Sequence, residues 1–128
     1  MKENPKFQDY IDQINQFFIE QGVKIEPIPQ VKLLRGSGNR FDPFIPTGNY
    51  SGEDMTITLY IGNRHVKDIL RSYCHELIHH NQNLKDPEKF ASLNKAGNLV
   101  ENSALEKFES DAYKRGNILF RRWTEVAE

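Results

Sequence analysis

The stretch that decides the fold is His75-Glu76-Leu77-Ile78-His79, which has the form H-E-x-x-H. On a helix, residues four apart lie on the same face, so His75 and His79 project side by side. Two imidazoles at this spacing can share one Zn²⁺ ion at about 2.0–2.1 Å each. Glu76 lies beside them, where a carboxylate can act as general base toward a zinc-bound water. The motif therefore predicts a zinc site on a helix.

Length and composition predict one domain over residues 1–128 and exclude several classes of protein. The net charge is −1, so the chain has no basic surface of the kind that binds nucleic acid or an anionic membrane. The apolar runs are too short to span a bilayer, and the polar N-terminus lacks the apolar region of a signal peptide. Cys74 is the single cysteine, which predicts a buried apolar role and a reducing compartment.

The chain before the motif alternates between helical and strand-like patterns. An apolar helical stripe begins after Pro5 and ends at Gly22, a residue typical of helix C-termini. Val31–Arg35 is a plausible strand, and Met55–Ile61 alternates cleanly between apolar and polar residues. Between them, residues 36–52 read as a long loop rich in glycine and proline. Its aromatic residues either attach the loop to the core or line a cleft: Phe41, Phe44 and Tyr50.

The motif helix is predicted from about Val66 to about Gln82, with the two histidines on a face beside its apolar stripe. That placement lets them face a cleft, as an open coordination position requires. Residues 83–102 are polar and irregular, with short helical turns expected at the surface. A last helix is predicted from Glu101 or Ser103 to about Glu125.

A catalytic zinc site usually has three protein ligands, so a third must follow the motif. The long form with a third histidine is excluded, because Gln82 and Lys85 occupy the positions of its glycine and histidine. The other common set is two histidines and a glutamate on a later helix. Glu106 and Glu109 lie on one face of the last helix, and both remain candidates for the third ligand. Two small residues would let that helix approach closely: Ala112 and Gly116.

The motif helix and the later sequence E-S-D-A-Y resemble the gluzincin metallopeptidases, which often carry E-x-x-A after a glutamate ligand. The segment from Phe41 to Gly116 is also similar to small zincin-like peptidases encoded by tailed bacteriophages. The resemblance implies Glu109 as the third zinc ligand, with Glu106 as the alternative. It also implies an α+β, zincin-like fold, with a short antiparallel or mixed sheet packed on the motif helix and the C-terminal helix.

The chain departs from the gluzincin pattern at one position. Many gluzincins have an aspartate four residues after the ligand glutamate, where this chain has Tyr113, and Asp111 belongs to a different helical face.

The resemblance further implies that Met55–Ile61 is an edge strand that binds an extended peptide. His80 is expected at the surface, and His65 is expected to be exposed or to cap the motif helix. Candidate oxyanion stabilisers are Tyr60, Arg64 and Tyr113.

These observations predict a zinc-dependent metalloendopeptidase in which His75, His79 and Glu109 bind Zn²⁺ and Glu76 activates water. The expected partner is a peptide or protein substrate, either general or one specific protein. The alternative is a catalytically silent zinc-binding structural or virion-associated protein; a helical module without metal is the remaining rival. The cytoplasm is the default location, which for a phage protein means the host cytoplasm or the virion. The sequence predicts no oligomeric state.

Overall fold

The computed structural model describes residues 5–35, 47–62, 64–95 and 103–127. Within these ranges the chain is α+β, with a mixed three-stranded sheet and four helices. Phe41 and Phe44, for which a role was predicted, lie outside the described residues. The elements in chain order are α1 (Pro5–Glu20), β1 (Gln30–Leu34), β2 (Gly48–Ser51), β3 (Thr56–Tyr60), α2 (Val66–Lys85), α3 (Pro87–Lys95) and α4 (Ser103–Ala127).

The sheet has the order β1-β3-β2, with β3 parallel to β1 and antiparallel to β2. The alternating pattern correctly predicts β3, because Ile57 and Leu59 are fully buried. Two expectations are wrong. β3 is the central strand and not an edge, and β2 lies inside the predicted loop. The segment of β2 has no β-branched residue and begins with a glycine, so its strand conformation depends on pairing with β3.

Helix α1 ends as its glycine predicts. Gly22 has a φ of +85°, which glycine adopts at little cost. The N–H of Gly22 donates to the carbonyl of Ile19 at 3.0 Å, and that of Val23 donates to Phe18 at 3.0 Å. This pair of bonds is the Schellman arrangement, which satisfies carbonyls at the end of the helix. The chain then turns back across α2 toward β1.

Helix α2 is the centre of the fold, since α1, α3, α4, β2 and β3 all pack against it. It runs about one turn beyond the predicted end, and α3 follows within the segment that was predicted to be irregular with short helical turns. Pro87 is the first residue of α3, a position where its missing N–H costs nothing. Cys74 is buried in the core, as predicted. None of the helices in the described ranges has both the length and the apolar composition needed to cross a membrane.

Helix α4 packs closely on α2 through two small residues, as the sequence predicts. Ala112 is fully buried. A Cβ atom added to Gly116 would lie 3.1 Å from the Cα of His75 and 3.3 Å from its backbone nitrogen. The backbones of the two helices therefore meet at His75, which fixes the distance between α4 and the motif.

Replacing Gly116 with alanine is expected to destabilise the protein by a net of about 1–3 kcal/mol, because the new methyl group would crowd backbone atoms of His75 in the packed helix α2. This net loss already includes the gain of about 1 kcal/mol that alanine usually gives over glycine inside a helix. Urea unfolding monitored by circular dichroism measures the change. Lys114→Ala, an exposed position on the same helix, is the control and should be nearly neutral. A Gly116→Ala protein as stable as the parent would contradict the close approach.

Candidate metal centre

Three predicted ligands lie together where α2 and α4 meet. The Nε2 atom of His75 lies 3.4 Å from Oε1 of Glu109, and Nε2 of His79 lies 3.4 Å from Oε2 of the same carboxylate. The three donor atoms lie within 4.8 Å of one another, a group that could hold a metal ion. Donors about 2.0–2.1 Å from a tetrahedral ion are about 3.3 Å apart, so this donor set fits zinc. Glu106 is exposed and does not belong to the group.

The ring of His79 is oriented by Gln82, which the sequence analysis did not identify as a site residue. Nδ1 of His79 lies 2.8 Å from Oε1 of Gln82. The amide nitrogen of Gln82 donates to the carbonyl of Phe108 at 3.0 Å and to Asp111 at 2.9 Å. Because that nitrogen is already a donor to two acceptors, Oε1 must accept from the N–H at Nδ1. In its neutral form, His79 therefore carries the lone pair on Nε2, the atom that faces Glu109.

This chain of hydrogen bonds includes Asp111 and its partner Arg115. Asp111 does lie on another face of α4, as predicted, but it reaches His79 through Gln82. Arg115 donates to both carboxylate oxygens of Asp111, at 2.7 and 2.6 Å, and this pairing holds the pKa of Asp111 below its ordinary value. Arg115 also donates to Asn81, whose amide donates to the carbonyl of Lys24. A hydrogen-bond network with members on both α2 and α4 therefore holds the ring of His79 in place.

Replacing Gln82 with leucine is expected to weaken zinc binding about 10- to 100-fold, the usual cost of losing a hydrogen-bond partner of a ligand histidine. The substitution keeps a similar volume but releases Nδ1 of His79 and leaves Asp111 without one donor. Competition with a chromophoric chelator measures the zinc affinity. Gln16→Leu, at an exposed position on α1, controls for the loss of an amide. Equal affinities for the two variants would show that Gln82 does not orient the ligand.

Glu76 is buried and lies against β2. A Cβ atom added to Gly48 would lie 3.3 Å from Oε2 of Glu76, so a larger residue there would crowd the carboxylate. Burial raises the pKa of Glu76 above its ordinary value, while the nearby His79 and His75 oppose the rise. A carboxylate with a raised pKa can exchange protons closer to neutral pH.

The contacts between Glu109 and the histidines shift the pKa values of Glu109 and His79 in opposite directions. Hydrogen bonds with His75 and then His79 hold the pKa of Glu109 far below its ordinary value. Burial alone would lower the pKa of His79, but its bond to Glu109 and the charge of Glu76 outweigh burial, so the pKa is raised. The contact with Glu109 therefore favours the protonated form of His79.

The cluster opens into a cavity of about 560 Å³ between β2, α2, α3 and α4. Of the three predicted oxyanion stabilisers, Tyr113 lines this cavity, and its ring lies 4.6 Å from that of His75. Tyr60 and Arg64 do not line it. Arg64 instead binds backbone carbonyls and Ser72, and so joins the strands to the start of α2. His65 caps α2 by accepting from the N–H of Lys67 at 3.0 Å, as predicted.

His80 is fully buried, so the expectation of a surface histidine is wrong. Its Nε2 atom lies 2.8 Å from the carbonyl of Pro27 and 3.2 Å from that of Ile25, so this nitrogen carries the proton. Nδ1 then accepts from the hydroxyl of Tyr50 at 2.7 Å. That hydroxyl in turn accepts from Asn83 at 3.0 Å. The network attaches β2 to α2, which confirms that Tyr50 holds its segment to the core; Tyr50 also lines the cavity.

No protein-family model, curated protein or solved structure matches this chain. The similarity to gluzincins therefore rests on the motif residues that the sequence itself displays. Membership of that family stays a prediction.

Proposed function

We propose that the protein is a zinc-dependent metalloendopeptidase with a zincin-like arrangement, in which His75, His79 and Glu109 hold Zn²⁺. The single observation that carries the proposal is the three-donor cluster, with separations of 3.4 Å from each histidine to the glutamate. Glu76 adds the one further group that hydrolysis needs, because its carboxylate faces the same cavity. A purely structural zinc site would use four protein ligands and be closed, whereas this cluster opens into a cavity.

Each residue has a distinct part in the reaction. A bound zinc ion lowers the pKa of water and polarises a carbonyl. Glu76 takes a proton from the water that attacks the scissile carbon and passes it to the departing amine, steps that suit its raised pKa. Tyr113, which lines the cavity beside His75, donates to the developing oxyanion. Gln82 keeps His79 in the required tautomer.

The substrate is an extended polypeptide that pairs with β2. The peptide-binding role that was predicted for β3 is therefore assigned to β2. Tyr60 donates its backbone N–H to the carbonyl of Thr47 at 3.2 Å. Because hydrogen-bonded pairs alternate in an antiparallel ladder, the backbone groups of Gly48 and Tyr50 point away from β3. Of the strands in the described ranges, only β3 pairs with β2. The outer edge of β2 therefore offers backbone bonds next to Glu76.

The direct test is cleavage of an unfolded protein. Zinc-loaded protein is incubated with reduced, carboxymethylated ribonuclease, and new termini are identified by mass spectrometry. We expect cleavage that a chelator stops and added zinc restores. Stoichiometric zinc without any cleavage would contradict a general peptidase and favour the silent structural alternative or an enzyme for one partner. Absence of zinc binding would contradict the proposal as a whole.

A further inference from the structure

A second cavity, of about 480 Å³, lies beyond the far end of β2. It is enclosed by the turn that joins β2 to β3, by the last turn of α2 and by the start of α3. The residues that line it are Ser51, Gly52, Glu53, Met55, Asn83, Leu84, Pro87, Phe90 and Ala91. Nothing in the proposed chemistry uses this space.

The lining of the second cavity suits an apolar occupant. Met55 and Leu84 are half-buried, so their side chains remain partly open to solvent. The amide of Asn83 already donates to the hydroxyl of Tyr50 at 3.0 Å and to the carbonyl of Gly52 at 3.4 Å. Both donor hydrogens of this amide are therefore used within the protein. Glu53 is the one charged residue of the lining and is exposed.

The second cavity lies next to the cavity of the candidate metal centre. Phe90 lines both cavities, and residues of β2 and of α2 also line both of them. Gly48 lies against Glu76 at the first cavity, and a Cβ atom added to Gly52 would lie 3.2 Å from the ring of Phe90. At about 3.3 Å per residue, the two glycines are about 13 Å apart along the strand. A peptide paired with β2 at Glu76 therefore reaches the second cavity within a few residues.

We infer that the second cavity binds a large apolar side chain of the substrate, such as leucine, methionine or phenylalanine. The inference rests on the proposed function, because it takes the substrate to be a strand antiparallel to β2. In that orientation the substrate runs from the Gly52 end toward the Gly48 end. The apolar residue therefore lies on the N-terminal side of the scissile bond, about three to five residues away.

Binding at the second cavity can be measured without turnover. The ¹H–¹⁵N spectrum of the zinc-treated protein is titrated with N-acetyl-L-leucine methylamide and, separately, with N-acetyl-L-glutamine methylamide. We expect saturable shifts of the backbone amides of Gly52, Leu84 and Ala91 with the leucine probe only. Ala91→Trp, which places a ring in the cavity, should weaken that binding at least about tenfold. Lys89→Trp, an exposed position on α3 outside the lining, should leave it unchanged.

The outcomes separate this inference from the proposed function. Saturable leucine-specific shifts that disappear in Ala91→Trp support the site even if the protein cuts no peptide. Absence of shifts, or equal shifts with both probes, overturns the site even if zinc-dependent cleavage is observed. Where cleavage is observed, the aligned cut sites should also be enriched in leucine, methionine or phenylalanine on the N-terminal side. Loss of that enrichment in Ala91→Trp but not in Lys89→Trp supports the inference, and its persistence in both overturns it.

Discussion

Replacing Glu76 with glutamine is expected to lower the rate of peptide hydrolysis by about 10³-fold or more while the zinc content stays at one ion per chain. Glutamine keeps the shape of the side chain beside Gly48 but cannot accept a proton from the attacking water. General-base catalysis contributes about 10²–10⁴-fold to enzyme rates, so its loss is a large effect. Initial cleavage rates and elemental analysis, made on the same preparation, test both halves of the expectation.

The control for this substitution is Glu125→Gln, which removes one negative charge from an exposed position near the end of α4. It should cleave at the parental rate. A Glu76→Gln protein that is as active as the parent would overturn the mechanism, whereas one that loses both zinc and activity would show that Glu76 supports the metal site. Because burial raises the pKa of Glu76, the neutral amide should also fold well, and thermal unfolding checks this.

Replacing Glu109 with alanine is expected to reduce zinc affinity by more than about 100-fold, because the loss of a ligand should exceed the cost of losing a partner of a ligand. In the structure this carboxylate is the group that touches both histidines, at 3.4 Å each. Protein purified without added metal should therefore hold about one zinc per chain in the parent and almost none in the variant. Elemental analysis after buffer exchange measures the content.

Glu106→Ala is the matched control, since Glu106 lies one turn earlier on the same helix and is exposed. It should keep its zinc. Retention of zinc in Glu109→Ala together with its loss in Glu106→Ala would reverse the ligand assignment. Absence of zinc from the parent, even after reconstitution, would mean that the motif binds no metal, and a structural or helical role would then replace the proposed one.

The sequence predicts the helices well and the sheet only in part. Apolar residues at helical spacing predict α1, α2 and α4, and strict alternation predicts β3 through Ile57 and Leu59. Strand β2 was missed, because its conformation is imposed by pairing with β3 rather than by its own residues. The error bears on the proposed substrate site, since among the strands of the described ranges the unpaired edge beside Glu76 belongs to β2 and not to β3.

At the candidate site, local spacing predicts which residues meet but not how they are supported. The pair His75 and His79 follows from helix geometry alone, and the approach of Glu109 follows from the family resemblance together with small residues on α4. Burial of His80 depends on the carbonyls of Ile25 and Pro27, about 55 residues earlier in the chain, and helical periodicity carries no information about them. Gln82 was detectable in principle, because it lies three residues after His79 on the same face.

The meeting of α2 and α4 has a further consequence for the stability of the whole chain. A metal ion shared by His75 and Glu109 would join two points that are 34 positions apart in the sequence, the difference between 109 and 75. Such a bond acts as a reversible cross-link in a protein whose single cysteine allows no internal disulfide. Closing a loop of this length in the unfolded chain corresponds to about 3–4 kcal/mol in the chain-entropy treatment of cross-links. The ion proposed for hydrolysis would thus also stabilise the fold, and the packing of α4 on α2 would depend on whether metal is bound.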